Sequence, residues 1–144
     1  MNGLSPSVED YLEAILKLIE HKGYAQTKDI AEEMNVKPPS VSGMLIKLKK
    51  QGFINYEPYS AITLTPLGKE SARKVLEGHN IIKELLKYLG VPDKVAEDDA
   101  CAMEHQVHSK TIIQIKKFIK FIESFPETPE WLVSFRKYSK KSSK

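Results

Sequence analysis

Residues Thr27–Gly52 read TKDIAEEMNVKPPSVSGMLIKLKKQG, a stretch with the pattern of two short helices joined by a tight turn. Thr27 is the expected cap of a helix to Met34, with Ile30, Ala31 and Met34 facing inward. Asn35-Val36 makes the turn, and Val36 is expected to plug it. Lys37-Pro38-Pro39-Ser40 opens the second helix, where proline is tolerated because the first N–H groups lack helical partners anyway. Val41, Met44, Leu45 and Leu48 are its buried stripe, and Gln51-Gly52 closes it.

Working outward, Ser7–Lys22 carries apolar residues at helical spacing, with Ser5 or Ser7 as cap, Pro6 near the first turn and Gly23 as stop. After the quoted stretch, Phe53–Tyr56 and Ile62–Leu64 read as short strands joined by Glu57–Ala61. Thr65-Pro66 starts a long helix to about Leu89, followed by helices over Asp93–Val107 and Ser109–Phe125. Pro126 and Pro129 end the last of these, with Trp131 and Leu132 packing back as a short segment. The expected fold is mainly α: a winged helix-turn-helix domain over 1–72, then an all-helical domain over 73–144, the half to which the donor set and family resemblance given below assign dimerisation and metal binding, ending in a basic tail. The boundary falls inside the long helix near Arg73.

The chain has 144 residues, 41% hydrophobic and 28% charged, with a net charge of +3, a balance that suits a globular protein. No apolar run approaches the ~20 residues of a bilayer span, and the N-terminus lacks the basic and apolar segments of a secretory signal. A single cysteine, Cys101, fits a reducing compartment. These features point to a cytoplasmic protein with no membrane partner. Between Met34 and Tyr56 stand Lys37, Lys47, Lys49 and Lys50 with no acid among them. The solvent face of the second helix of the pair shows Pro39, Ser40, Ser42, Gly43, Lys47 and Lys50. Small residues near its N-terminus let the backbone approach base edges in the major groove of double-stranded DNA, and the lysines a turn or two later meet phosphates. Thr27 and Ser40 add hydroxyl donors near helix N-termini. The face offers no Arg, Asn or Gln for bidentate base contacts, so specificity leans on methyl contacts, serines and DNA shape.

A second constellation carries metal chemistry. Asp10 and Glu13 share a face of the first helix; Cys101, Glu104 and His105 at i, i+3 and i+4 share a face of a later one. His79 stands on the long helix between them. Carboxylate, imidazole and thiolate on converging helices form a transition-metal ligand set. His108, one turn past Glu104, is a further donor or a surface residue.

Together these residues resemble the diphtheria toxin repressor family, the iron-dependent repressors and manganese transport regulators, in a two-domain form without the SH3-like domain. The carriers are SVEDYLEAI, DIAEEMNVKPPSVSGMLIKLKKQGFI, LTPLGKESA, EGHNIIKELL and DACAMEH, in that order. The resemblance implies ligands at Asp10, His79, Cys101, Glu104 and His105, with Glu13 matching a manganese-regulator ligand. Asp10 follows the manganese pattern and Cys101 the iron pattern. Glu97 falls near a second-site histidine of the iron type, and Lys83 falls where the family often carries a ligating glutamate.

The function this implies is a homodimeric repressor of metal uptake genes. A metal held by both halves sets the angle of the paired readers on a palindromic operator and favours the closed form by about 5 kcal/mol. Fe2+ is slightly favoured over Mn2+, because one thiolate softens the set; Zn2+, Co2+, Ni2+ or Cd2+ is expected to bind in vitro. The rivals are a winged-helix regulator that senses redox state or a small organic ligand without metal, and a thiol enzyme using Cys101 and His105. The latter lacks an oxyanion device or Gly-rich loop, so no enzymatic activity is expected.

Overall fold

The computed structural model describes residues 4–142. The described residues form two compact units, 4–76 and 77–142. Helix α1 (Pro6–Lys22) starts on Ser5, whose Oγ accepts from the Val8 N–H at 3.2 Å, and stops at Gly23, whose φ of +88° suits a residue without Cβ. Helix α2 (Thr27–Met34) is capped by Gln26 rather than Thr27: the Asp29 carboxylate accepts from the Gln26 N–H at 3.2 Å, reaching back from the first turn. Asp29 also pairs with Lys22 at 3.0 Å.

The turn after α2 is closed by backbone. Asn35 takes the left-handed conformation (φ +56°), and the Val36 N–H donates to the Ala31 carbonyl at 3.0 Å. The Val36 side chain does not plug the turn; it is exposed. Helix α3 (Pro38–Lys50) begins on two prolines and ends with Lys47, Lys49 and Lys50, cations placed at the negative end of the helix dipole.

Strands β1 (Ile54–Asn55) and β2 (Thr63–Leu64) pair antiparallel, Ile54 opposite Leu64 and Asn55 opposite Thr63, and Ala25 bridges to Ile62. The pairing is shorter than the sequence pattern suggests, because Tyr56 leads directly into the wing. The wing is tied to α3 by Lys49–Glu57 at 3.1 Å. Leu12, Ile15, Ile30, Val41, Leu45, Leu48 and Ile62 fill the core of this unit, each fully buried. Side chains of this kind contribute about 1.5–3 kcal/mol apiece in transfer free energy.

Helix α4 (Pro66–Tyr88) begins in the first unit, and its residues from Glu77 onward fall in the second. Thr65 organises its start: Oγ1 donates to the Gly52 carbonyl at 2.6 Å and accepts from the Gly68 N–H at 3.0 Å. The second unit continues with α5 (Asp93–Met103), α6 (Ser109–Glu123) and α7 (Glu130–Ser142). Helix α5 stops four residues earlier than the pattern suggests. Glu104 is its C-cap, and from Gln106 the backbone turns on an i→i−3 bond to Met103. The expected basic tail is largely helix α7, with Ser143 and Lys144 outside the described residues. Trp131, Phe135 and Tyr138 recur at helical spacing there, Leu132 is buried, and Trp131 stacks on Phe121 with ring centroids 6.5 Å apart. No described helix is long and apolar enough to cross a membrane.

A Cβ built at Gly68 would lie 1.8 Å from the Phe53 carbonyl oxygen, whereas one at Gly43 on α3 meets nothing within 4 Å. Gly68→Ala must displace backbone, so we expect it to cost about 3 kcal/mol or more, the upper end of overpacking penalties. Gly43→Ala should leave the fold as stable or gain up to about 1 kcal/mol from helix propensity. Urea unfolding of the two variants checks this; equal stabilities would show that the α4 start adjusts freely.

Candidate metal centre and nucleic-acid interface

The second unit gathers its donors around one imidazole. His79, on α4, is almost wholly buried at 2% exposure. Its Nε2 lies 2.6 Å from Glu97 Oε2 and its Nδ1 lies 2.7 Å from Glu104 Oε2. Cys101 Sγ stands 3.7 Å from His79 Nδ1 and 3.6 Å from Glu97 Oε2. His105 Nε2 is 3.5 Å from Glu104 Oε1. Glu97 and Cys101 share a face of α5 one turn apart, and Glu104 and His105 follow where that helix ends.

Two features of this cluster call for positive charge. A neutral imidazole has one N–H, so carboxylates on both ring nitrogens require either a second proton or a metal ion beside the ring. Glu104 compounds this: its side chain is 2% exposed and sits at the negative end of α5, where the helix dipole disfavours an anion. One donor atom from each of His79, Glu97 and Cys101 lies within 4.8 Å of the others. Ligands on one tetrahedral ion stand roughly 3.3–3.8 Å apart, given metal–nitrogen and metal–sulfur bonds of about 2.0–2.3 Å. The residues therefore fit a divalent transition metal, with one ring nitrogen as ligand and a carboxylate orienting the other.

Charges around Glu97 set its ionisation. Burial raises its pKa, but the Lys83 hydrogen bond and the charges of His79 and Lys83 outweigh burial and hold it below the ordinary carboxylate value. Glu97 was the least expected member of the group. Its position four residues before Cys101, hence on the same helix face, was the available signal. His108 is the exposed N-cap of α6 rather than a continuation of the α5 face, and it joins no donor cluster among the described residues.

In the first unit, Asp10 and Glu13 stand one turn apart on α1. Glu13 is buried; its Oε2 has no hydrogen bond and an ion pair with Lys17 at 3.6 Å. The face of α3 is open: Pro39, Ser40, Gly43, Lys47 and Lys50 are exposed, as is the α3 cap Lys37, while Ser42 and Thr27 are half-buried. Ile46, 53% exposed, falls on this face beside Lys47 and Lys50. Sequence periodicity did not single it out as a surface contact, although it lies out of phase with Val41, Leu45 and Leu48.

A helix-turn-helix with an open, acid-free helix, joined to a helical unit with an imidazole–carboxylate–thiolate donor set, defines a metal-responsive DNA-binding regulator. Comparison with known proteins narrows the class. The profile of the iron dependent repressor N-terminal DNA binding domain matches residues 3–62, and that of the iron dependent repressor metal binding and dimerisation domain matches residues 65–132. The chain belongs to the iron dependent repressor family and is a metal-dependent, DNA-binding transcriptional repressor of metal homeostasis. It is 35% identical over 139 residues to the HTH-type transcriptional regulator MntR of Bacillus pumilus, covering 96% of each chain. It is 38% identical over 128 residues to MntR of Listeria welshimeri, covering 89% of this chain and 90% of that one. A solved structure of a manganese-dependent transcriptional repressor in complex with manganese matches with a TM-score of 0.72 at 28% identity. That match covers 79% of this chain and 53% of the other, so this chain spans about half the length of that relative. Both of these relatives are named as transcriptional regulators.

In metal-free protein the depressed Glu97 pKa has a direct consequence. A carboxyl more acidic folded than unfolded contributes stability that is present above the ordinary value near ~4.3 and is lost as pH falls through its lower folded value. Glu97→Gln should therefore flatten the acid limb of the stability–pH profile below about pH 4.5 in chelator. Superimposable profiles for wild type and variant would remove Glu97 from the ion-paired group.

Proposed function

We propose that this repressor is switched onto its operator by Fe2+ or Mn2+ and silences genes for uptake of that metal. The observation that carries the reading is a buried His79 flanked by Glu97 and Glu104, with the Cys101 thiol in reach. The proposed ligands are His79, Cys101, Glu104 and His105, with Glu97 in support and Asp10 and Glu13 supplied from α1. The α1 contribution rests on family resemblance and on the chemistry of the donors. When bound, the ion would supply positive charge beside the Glu97 and Glu104 carboxylates and the Cys101 sulfur. Cys101 softens the set, which favours Fe2+; Asp10 and the manganese-regulator relatives favour Mn2+ as the second reading. Zn2+, Co2+, Ni2+ and Cd2+ are expected to load in vitro, since affinity follows donor chemistry.

The reader is taken as residues 1–72 and the dimerisation half as 73–144. In a homodimer the two α3 helices meet half-sites of a palindromic operator about 34 Å or a multiple apart. Lys37, Lys47 and Lys50 contact phosphates, and the Thr27 and Ser40 hydroxyls add donors there. Pro39, Ser42, Gly43 and Ile46 present small or apolar surface to base edges, including thymine methyls. The protein works in the cytoplasm, where its DNA and the sensed metal pool are.

The test is fluorescence anisotropy on a duplex selected from random sequences in the presence of Mn2+, repeated in chelator and in anaerobic Fe2+. Metal should tighten binding at least tenfold; equal affinity in chelator and in both metals would sink the reading. Asp10→Ala and His105→Ala should abolish the metal response while sedimentation still reports a dimer. Lys47→Ala should weaken binding to all duplexes and reduce the salt slope by about 0.9, the contribution of one phosphate contact. An unchanged slope would place Lys47 off the backbone.

A further inference from the structure

Lys83 lies one turn beyond His79 on α4, and only 26% of its side chain is exposed. Its Nζ is 3.0 Å from Glu97 Oε1 and 3.9 Å from Asp93 Oδ1. Lys87, one turn further, is 3.2 Å from Asp93 Oδ1. Two lysines of α4 thus face two acids of α5, each pair at i,i+4 spacing. Glu97 is engaged at both oxygens, Oε1 by Lys83 and Oε2 by His79.

We propose that Lys83 is a specificity-determining residue of the metal cluster: a covalently tethered cation that occupies the place beside Glu97 and closes that side to a further ion. The inference rests on the metal-sensor reading. An ammonium has three donors and no lone pair, so it cannot ligate while protonated, and it repels a dication at the same carboxylate. Its ion pairs are with oxygen and not with the nitrogen and sulfur donors of His79 and Cys101, so it withdraws the all-oxygen corner formed by Glu97 and Asp93. That corner is the part of the surface a hard cation such as Mn2+ would otherwise select. Lys83 thereby confines the cluster to its softer side.

The experiment counts Mn2+ per subunit on the full-length chain by isothermal titration and by equilibrium dialysis with elemental analysis. Lys83→Glu should take up one more Mn2+ per subunit than wild type, and Lys83→Arg should match wild type. Lys83→Ala, which removes the cation without adding a donor, should take the additional ion at least tenfold more weakly than Lys83→Glu. Adding Glu97→Gln to Lys83→Glu should abolish the gain. Helical circular dichroism confirms folding of each variant. Equal counts for wild type, Lys83→Glu and Lys83→Ala overturn the inference and leave the metal-sensor reading standing. A wild-type chain that binds neither Mn2+ nor anaerobic Fe2+ overturns both.

Discussion

A histidine buried between two carboxylates is the constraint from which the chemistry of this chain follows. Neither Glu97 nor Glu104 can be near His79 at 2.6 and 2.7 Å without positive charge to balance them. Lys83 supplies such charge to Glu97 at 3.0 Å, and a bound ion would supply it to the rest of the cluster. The neighbouring helices are arranged to present the problem: α4 supplies the ring, α5 supplies one acid in its last turns and another at its cap. The premature end of α5 is part of the arrangement, because it leaves the Glu104 carboxylate at the unfavourable pole of the helix.

The reader is organised differently, with its helix ends settled and the surface of α3 left bare. Each helix ends on a local device: a serine cap and left-handed glycine on α1, a back-reaching aspartate and left-handed asparagine around α2, two prolines at the start of α3. With the termini satisfied and the core closed by aliphatic side chains, α3 is free to carry residues that do little for stability. Gly43 costs helix propensity, and Ile46 leaves apolar surface in water. In the proposed reading, both are concessions to DNA with methyl groups in its groove.

Much of this was legible from local signals. Ser5, Pro6 and Gly23 bracket α1, and the spacing of Cys101, Glu104 and His105 marks one face. The turn after α2 was located correctly, but its cause was misassigned to Val36, since a side chain was credited with what a left-handed Asn35 and a backbone bond achieve. The part of α7 from Phe135 onward was read as a basic tail because its aromatic residues are diluted by lysine and arginine. The pairing of His79 with Glu97 joins residues 18 apart on different helices, and no periodicity reports such a contact. Lys83 illustrates the same limit: the sequence says that a donor is missing, and only the fold says what the replacement touches.

The contact of Gly68 with the Phe53 carbonyl bears on how such a chain can change over time. Every coding replacement of a glycine adds at least one carbon, so the smallest available step at codon 68 already collides with main chain. The junction from which α4 departs is thereby held to a single achiral residue.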